Sequence, residues 1–122
     1  MVPDRAAADY RLGRRFSLGR NKQYRIVYRR GNSFPGRLMV LVYMRDRALR
    51  VGFSVTSKVG GAVLRNRLRR WMHEDFRMLR TQVKPGRYVF VARTAAAQAD
   101  HQEMKAEMIA LLERARLLRP DP

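Results

Sequence analysis

The sequence contains no cysteine, which excludes disulfide bridges, thiolate metal sites and a thiol nucleophile. It has no run of about 18 apolar residues, so no membrane-spanning helix is predicted. The basic N-terminus lacks the apolar stretch of a signal peptide, and we therefore expect a cytoplasmic location. At 46% hydrophobic residues, the chain is too apolar for a disordered basic tail. These absences predict a folded cytoplasmic protein.

Acidic residues are also scarce: 10 Asp and Glu stand against 27 Lys and Arg, which gives a net charge of +17 over 122 residues. The positive charge is concentrated in the first part of the chain. Residues 1–80 hold 20 basic and 5 acidic side chains, whereas residues 81–122 hold 7 basic and 5 acidic side chains. A charge that served only solubility would be spread evenly. Most of the cations are arginines, whose planar guanidinium pairs with phosphate in a bidentate manner. The charge distribution predicts a surface that binds a polyanion.

The hydrophobic pattern predicts an α+β fold in the order helix, two strands, helix, strand, helix. Residues 1–16 are rich in arginine and show no period, and they predict a basic, mobile N-terminal arm. Residues 17–122 predict a single domain. Asn21 is predicted to cap a first helix that ends at Gly31. The stretch 33–36 (SFPG) predicts a turn.

Two β-rich runs, residues 37–44 and 49–56, flank a short polar turn and predict an antiparallel hairpin. The first run is too continuously apolar for its period to be resolved. Residues 62–80 predict a second helix, and residues 87–93 predict a third strand. A terminal helix is predicted to begin with a capping box formed by Asp100 and Glu103.

Projected on a helix, residues 62–80 divide into two sides. One side is apolar: Leu64, Leu68, Trp71, Met72 and Leu79. The other is basic: Arg65, Asn66, Arg69, Arg70, His73, Arg77 and Arg80. Arg67 lies toward the flank, and Asp75 is a misfit near the apolar side. Solvated helix faces usually alternate in charge sign, whereas only Glu74 and Asp75 interrupt this one, so we interpret it as a nucleic-acid contact rather than a solvated face.

The loop before this helix contains Lys58 and a glycine pair at residues 60–61. Backbone amides at a helix N-terminus close to a cation can bind phosphate. The glycines could equally serve only the geometry of a plain loop.

Aromatic residues are interleaved with basic residues in the first half of the chain: Tyr24, Tyr28, Phe34, Tyr43 and Phe53. Exposed aromatic rings in a basic groove stack on single-stranded bases. Aromatic residues at helical or strand spacing more often belong to the core. Tyr24 and Tyr28 share one helical face, which fits both interpretations.

No catalytic motif is present. His73 and His101 fall on different predicted helices, both at the surface, and could in principle form the acid/base pair of a metal-free ribonuclease. Glu74 and Asp75 point about 100° apart on a helix, which makes a poor paired site. No catalytic residue on the protein is therefore expected.

Residues 49–55 (LRVGFSV), leading into residues 58–70 (KVGGAVLRNRLRR), closely resemble the signature of the bacterial ribonuclease P protein subunit. In that family a strand precedes the pattern K-x-G-x-A-V-x-R-N-x-x-K/R-R on a helix. Residues 24–31 (YRIVYRRG) resemble its aromatic first helix and glycine stop. Residues 89–93 (VFVAR), with the Ala-rich and Leu-rich sequence that follows, resemble its C-terminal half. The resemblance extends over residues 17–118.

The resemblance implies a single-domain α/β sandwich, with a sheet of about four strands packed with three helices. It also implies a left-handed β-α-β crossover, contrary to the usual preference. Its partners would be a catalytic RNA and precursor tRNA, and the holoenzyme would remove the 5′ leader of the tRNA. The chemistry would belong to the RNA and to Mg²⁺ bound mainly by that RNA. The chain would then be the protein subunit of an endoribonuclease, with no requirement for another protein or a membrane.

The resemblance also assigns binding residues. Those matched to contacts with the catalytic RNA are Arg65, Asn66, Arg67, Arg69, Arg70, Lys58 and His73. Those matched to a cleft for the single-stranded leader, between the basic helix and the sheet, are Tyr24, Tyr28 and Phe53. Metal ligands on the protein stay unknown.

The sequence departs from the family pattern at three places. Residues 56–58 (TSK) replace the commoner Ser-Lys-Lys, so one cation of the loop is missing. His73 stands where the family usually has arginine, which predicts a weaker and pH-sensitive phosphate contact. Val42 stands where some relatives carry tyrosine, and the neighbouring Tyr43 is expected to face the opposite side of its strand. The alternative function is that of a non-catalytic RNA-binding protein, such as a ribosomal protein, which shares the size, charge and fold class.

Overall fold

The computed structural model describes residues 14–119, which contain a four-stranded sheet and three α-helices. The helices are α1 (Asn21–Arg30), α2 (Ala62–Leu79) and α3 (His101–Arg114). The strands are β1 (Asn32–Pro35), β2 (Met39–Met44), β3 (Arg50–Ser54) and β4 (Arg87–Ala92). The α+β class, the four strands and the three helices are confirmed. The predicted arm, residues 1–16, lies outside the described residues except for its last three, which form a 3-10 turn.

The predicted hairpin between residues 37–44 and 49–56 is wrong. The strand order is β1-β2-β4-β3, with β2 antiparallel to β1 and β4, and β3 parallel to β4. β4 takes a central place because it is apolar on both faces: Tyr88 and Phe90 are fully buried on one face and Val89 on the other. At an edge, these side chains would be covered only in part.

The parallel pairing of β3 with β4 requires a crossover connection, which α2 provides. β3 therefore lies at one edge of the sheet, and α2 begins a few residues after it ends. The left-handed course of this crossover stays a prediction of the resemblance.

β1 occupies residues that were predicted as a turn. Asn32 to Pro35 pair with β2, and the turn follows at Gly36, whose N–H donates to the Met39 carbonyl at 2.8 Å. Proline is tolerated there because β1 is the other edge strand, where one row of backbone groups has no partner strand. Turn-forming residues concealed this short strand in the sequence.

Helices cover both faces of the sheet. α2 and α3 pack on one face over the larger core, which includes Met39, Leu41, Leu68, Met72, Phe76, Phe90 and Met108. α1 packs on the other face over a smaller cluster: Leu18, Val27, Val42 and Val89. α1 and α2 thus lie on opposite faces, and both reach the β3 edge.

The observed helix ends agree with the predicted capping and stop residues, with one exception. Asp100 accepts from the Glu103 N–H at 2.8 Å and the Glu103 carboxylate accepts from the Asp100 N–H at 3.0 Å, so the predicted capping box is confirmed. Gly31 ends α1 as predicted. The predicted Asn21 cap is wrong, because Arg20 holds the N-cap position and makes no capping bond through its side chain.

Asp75, the misfit of the helical projection, is buried with only 3% of its surface exposed. Its Oδ1 lies 2.8 Å from Nε2 of His101 at the start of α3, and the His101 ring stacks on Trp71. His101 is therefore half-buried and paired rather than free at the surface. Burial raises the pKa of the Asp75 carboxyl, and the hydrogen bond from His101 opposes that rise.

We expect His101→Ala to lower the free energy of unfolding by about 1–2 kcal/mol near pH 7, because it leaves a buried carboxylate without its partner. A raised carboxyl pKa in the folded state means that the ionised form is penalised, so the loss should shrink as the pH falls toward about 4. Urea unfolding of the wild type and of His101→Ala, at pH 7 and at about pH 4, measures this loss. Adding Asp75→Asn should recover most of the loss; a double variant no more stable than His101→Ala would contradict this account.

Candidate nucleic-acid interface

In the part of the chain that the structure describes, backbone covers the outer edge of β3 only at the start of the strand. Ser17 forms a parallel bridge with Val51, and the Leu18 N–H donates to the Val51 carbonyl at 2.9 Å. Gly19 then adopts a φ of +87°, a left-handed conformation that favours glycine, and the chain turns away into α1. Within residues 14–119, no backbone pairs with the second half of the β3 edge on this side.

Side chains from the two helices occupy this uncovered edge. The Tyr24 side chain lies against the β3 backbone at Gly52. Arg69 Nη2 donates to the Val55 carbonyl at 3.3 Å, and its Nη1 donates to Asn66 Oδ1 at 2.7 Å. A Cβ at Gly52 would collide with the Tyr24 ring, so the glycine is what allows this ring to lie on the strand.

An open groove of ≈ 550 Å³ follows this edge between α1 and α2. Its lining residues are Gly19, Asn21, Tyr24, Arg25, Tyr28, Phe53, Ser54, Val55 and Arg69. The structure thus brings together the three aromatic residues predicted for a cleft, and adds two arginines. Tyr24, Tyr28 and Arg25 line the groove from α1, and Arg69 lines it from α2.

The three aromatic residues differ in how much ring they present. Tyr28 is 45% exposed, and its ring centroid lies 6.3 Å from that of the half-buried Tyr24. Phe53 also packs into the core, with its ring 6.1 Å from Phe90 and 6.3 Å from Phe76. Burial raises the pKa of the Tyr24 hydroxyl, which keeps it neutral at physiological pH. Tyr28 therefore offers the most ring surface to a ligand.

The basic residues predicted on α2 divide between two surfaces. Asn66, Arg67 and Arg70 are exposed, and we call them the outer face of α2. Arg69 is half-buried and lines the groove, and the exposed His73 lies beside Phe53 with 5.8 Å between ring centroids.

Two further predicted residues lie close to the N-terminal end of α2. Arg65 is half-buried, and its Nε makes no hydrogen bond among the described residues. Lys58 is exposed in the preceding loop, and Gly61 caps α2 without a capping bond from a side chain.

Comparison with known proteins decides the family. A sequence model of the family Ribonuclease P matches residues 12–116. The chain belongs to the ribonuclease P protein family. The ribonuclease P protein component of Listeria monocytogenes serotype 4a (strain HCC23) is 34% identical over 115 residues, covering 91% of this chain and 97% of the relative. The ribonuclease P protein component of Clostridium botulinum (strain Langeland) is 40% identical over 102 residues, covering 80% of this chain and 92% of the relative.

Solved ribonuclease P proteins share the fold. The Staphylococcus aureus protein superposes with a TM-score of 0.81 at 23% identity, covering 85% of this chain and 98% of its own. The Thermotoga maritima protein superposes with a TM-score of 0.71 at 25% identity, and the match covers 84% of this chain and 97% of the Thermotoga protein. As a ribonuclease P protein component, the chain has an RNA partner in a holoenzyme, which decides against the ribosomal-protein alternative.

Val42, the family departure on β2, faces α1 and is buried in the smaller core. Tyr43 faces the opposite side of the sheet, where its hydroxyl donates to the Pro85 carbonyl at 2.6 Å. Tyr43 does not replace a tyrosine at position 42 in the groove, as the alternation of strand side chains predicted.

Five of the groove residues were not predicted as site residues, and two of them, Arg25 and Gly19, are instructive. Arg25 stands three residues before Tyr28, a spacing that places both on one side of α1 and could have indicated it. Gly19 could not have been found in this way, because its role depends on the pairing of Ser17 with Val51.

The two histidines contact different neighbours: His73 lies beside Phe53, and His101 is engaged by Asp75 and Trp71. Within residues 14–119, no three His, Asp or Glu side chains come together as a metal site. No helix in this part of the chain is long and apolar enough to cross a membrane.

Proposed function

We propose that this protein binds the catalytic RNA of ribonuclease P through the outer face of α2, and the 5′ leader of precursor tRNA in the groove. It thereby supports the endonucleolytic removal of the leader in the cytoplasm, where precursor tRNA is made. The groove carries this proposal, because it places the rings of Tyr24 and Tyr28 opposite the guanidinium of Arg69.

The groove suits a single strand better than a duplex. Stacking on aromatic rings requires unpaired bases, since the faces of paired bases are covered by their neighbours. Arg25 and Arg69 can meet the phosphates of the same strand. Because every base offers a stacking face, such a site accepts leaders of different sequence.

We place the chemistry on the RNA and on Mg²⁺ held by that RNA, as the family resemblance implies. The protein acts through charge. Leader and catalytic RNA are both polyanions that repel one another, and a protein of net charge +17 between them offsets that repulsion.

A magnesium titration tests the proposal. We expect the purified protein to lower, several-fold, the Mg²⁺ concentration at which the catalytic RNA cleaves precursor tRNA, because protein cations replace part of the counterion screening. The protein alone should cleave nothing. An unchanged Mg²⁺ midpoint with protein bound to the RNA would contradict the supporting role, and cleavage by protein alone that is lost in His73→Ala would establish the nuclease alternative.

A further inference from the structure

A second cluster of arginine and aromatic residues lies at the other end of α2, outside the groove. The guanidinium of Arg80, which follows the last residue of α2, lies over the Phe16 ring at 5.1 Å from its centroid. The guanidinium of Arg15 lies over the same ring at 4.8 Å. Phe16 immediately precedes the residue that pairs with β3, so its position is fixed by the fold.

These two cations have no acidic partner among the described residues. The ion pairs there join Arg37 to Glu103, Arg77 to Glu74, Arg87 to Asp46 and His101 to Asp75. Because both guanidinium carbons lie within about 5 Å of one ring centroid, they are at most about 10 Å apart. Arg80 Nε is buried and makes no hydrogen bond to any of the described residues. Two like charges held this close repel each other until an anion joins them.

A purely structural role explains only part of this arrangement. A cation at the C-terminal end of α2 is favoured by the helix dipole, and Arg80 satisfies that preference alone. The second guanidinium, from the exposed Arg15, adds repulsion that a helix cap does not need. An anionic ligand accounts for both cations.

We propose that Arg15 and Arg80, held by Phe16, form a binding site for backbone phosphates of RNA, separate from the groove. Guanidinium groups bind phosphate oxygens in a bidentate manner, and a spacing of up to about 10 Å suits successive phosphates of one strand. The strand is either the catalytic RNA or a leader that extends beyond the groove. The identity of the RNA, but not the anion site itself, rests on the function proposed above.

The first test uses the full chain and inorganic pyrophosphate as the probe. Pyrophosphate should raise the melting temperature of the wild type more than that of Arg80→Gln or Arg15→Gln. Arg15 is exposed, so its replacement leaves folding intact. The matched control is Arg37→Gln, which removes the same charge from the β1–β2 turn, at the opposite edge of the sheet. Equal stabilisation of the control and both variants would overturn the site.

The second test identifies the RNA. Affinities for catalytic RNA, and for precursor tRNAs with short and long leaders, are measured over a range of salt concentrations. In one of these arms, Arg80→Gln should lose about five-fold in affinity, with a salt slope shallower by roughly one unit. A loss for catalytic RNA identifies that partner, and a loss confined to long leaders identifies the leader. If Arg80→Gln has the same affinity and salt slope as Arg37→Gln for every RNA tested, RNA is not the ligand of this site. If the wild type binds none of these RNAs, the proposed function is overturned, and the pyrophosphate experiment alone decides whether the anion site exists.

Discussion

The double variant Arg67→Gln/Arg70→Gln is expected to bind the catalytic RNA more weakly, by about 1–3 kcal/mol for each arginine that loses a bidentate phosphate contact. Both side chains are exposed on the outer face of α2, and neither lines the groove. The Arg67 guanidinium also lies over the Trp71 ring, 5.3 Å from its centroid. Binding across a range of salt concentrations measures the loss, and the salt slope should become shallower by roughly two units.

The matched control for this variant is Arg37→Gln/Arg47→Gln, which removes two exposed charges from the turns that flank β2. It should change affinity little, because scattered surface charges beyond a Debye length are screened. The preference of the holoenzyme for precursor over mature tRNA should survive in Arg67→Gln/Arg70→Gln. Equal losses in the two double variants would show that net charge, and not the outer face of α2, determines binding.

Tyr28→Ala is expected to weaken the binding of precursor tRNA by about 1–3 kcal/mol and to leave mature tRNA unaffected, because it removes the most exposed stacking ring of the groove. Only precursor tRNA has a leader to stack there. Affinities of the reconstituted holoenzyme for the two tRNAs measure the difference.

Tyr28→Phe provides the control, since it keeps the ring and removes only the hydroxyl. It should bind precursor tRNA nearly as well as the wild type. The Tyr28 side chain is almost half exposed, so neither variant is expected to disturb the core. An equal loss of both tRNAs in Tyr28→Ala would indicate a general defect and exclude Tyr28 as a leader contact.

Arg69 connects the two surfaces. The family resemblance assigns it to the catalytic RNA, but its guanidinium is hydrogen-bonded at the groove, to Val55 and Asn66. Its neighbours Asn66 and Arg70 belong to the outer face. On the proposed function, Arg69 would contact the leader while Asn66 and Arg70 contact the catalytic RNA, and the two RNAs would then lie on adjacent faces of α2.

The sequence by itself determined the local features of this protein. The period of apolar residues along residues 62–80 fixed α2 and its basic side, and the Asp100–Glu103 pair fixed the start of α3. Such features depend on residues within one or two helical turns of each other, so their physics can be read from spacing alone. The motif in residues 58–70 predicted the family to which the chain belongs.

Only the tertiary structure decided how these pieces form a site. The run of apolar residues in β4 is compatible with a central strand, but β2 has a similar run, and no local pattern decides which strands become neighbours. The placement of β4 between β2 and β3 leaves β3 at the edge, where Gly19 turns the chain away and exposes the backbone that Tyr24 and Arg69 occupy. The pairing of Asp75 with His101 and the contact of Phe16 with Arg80 join residues far apart in sequence. Their partners are set by packing across the whole domain, because the free energy of burial depends on which surfaces meet and not on which residues are neighbours in the chain.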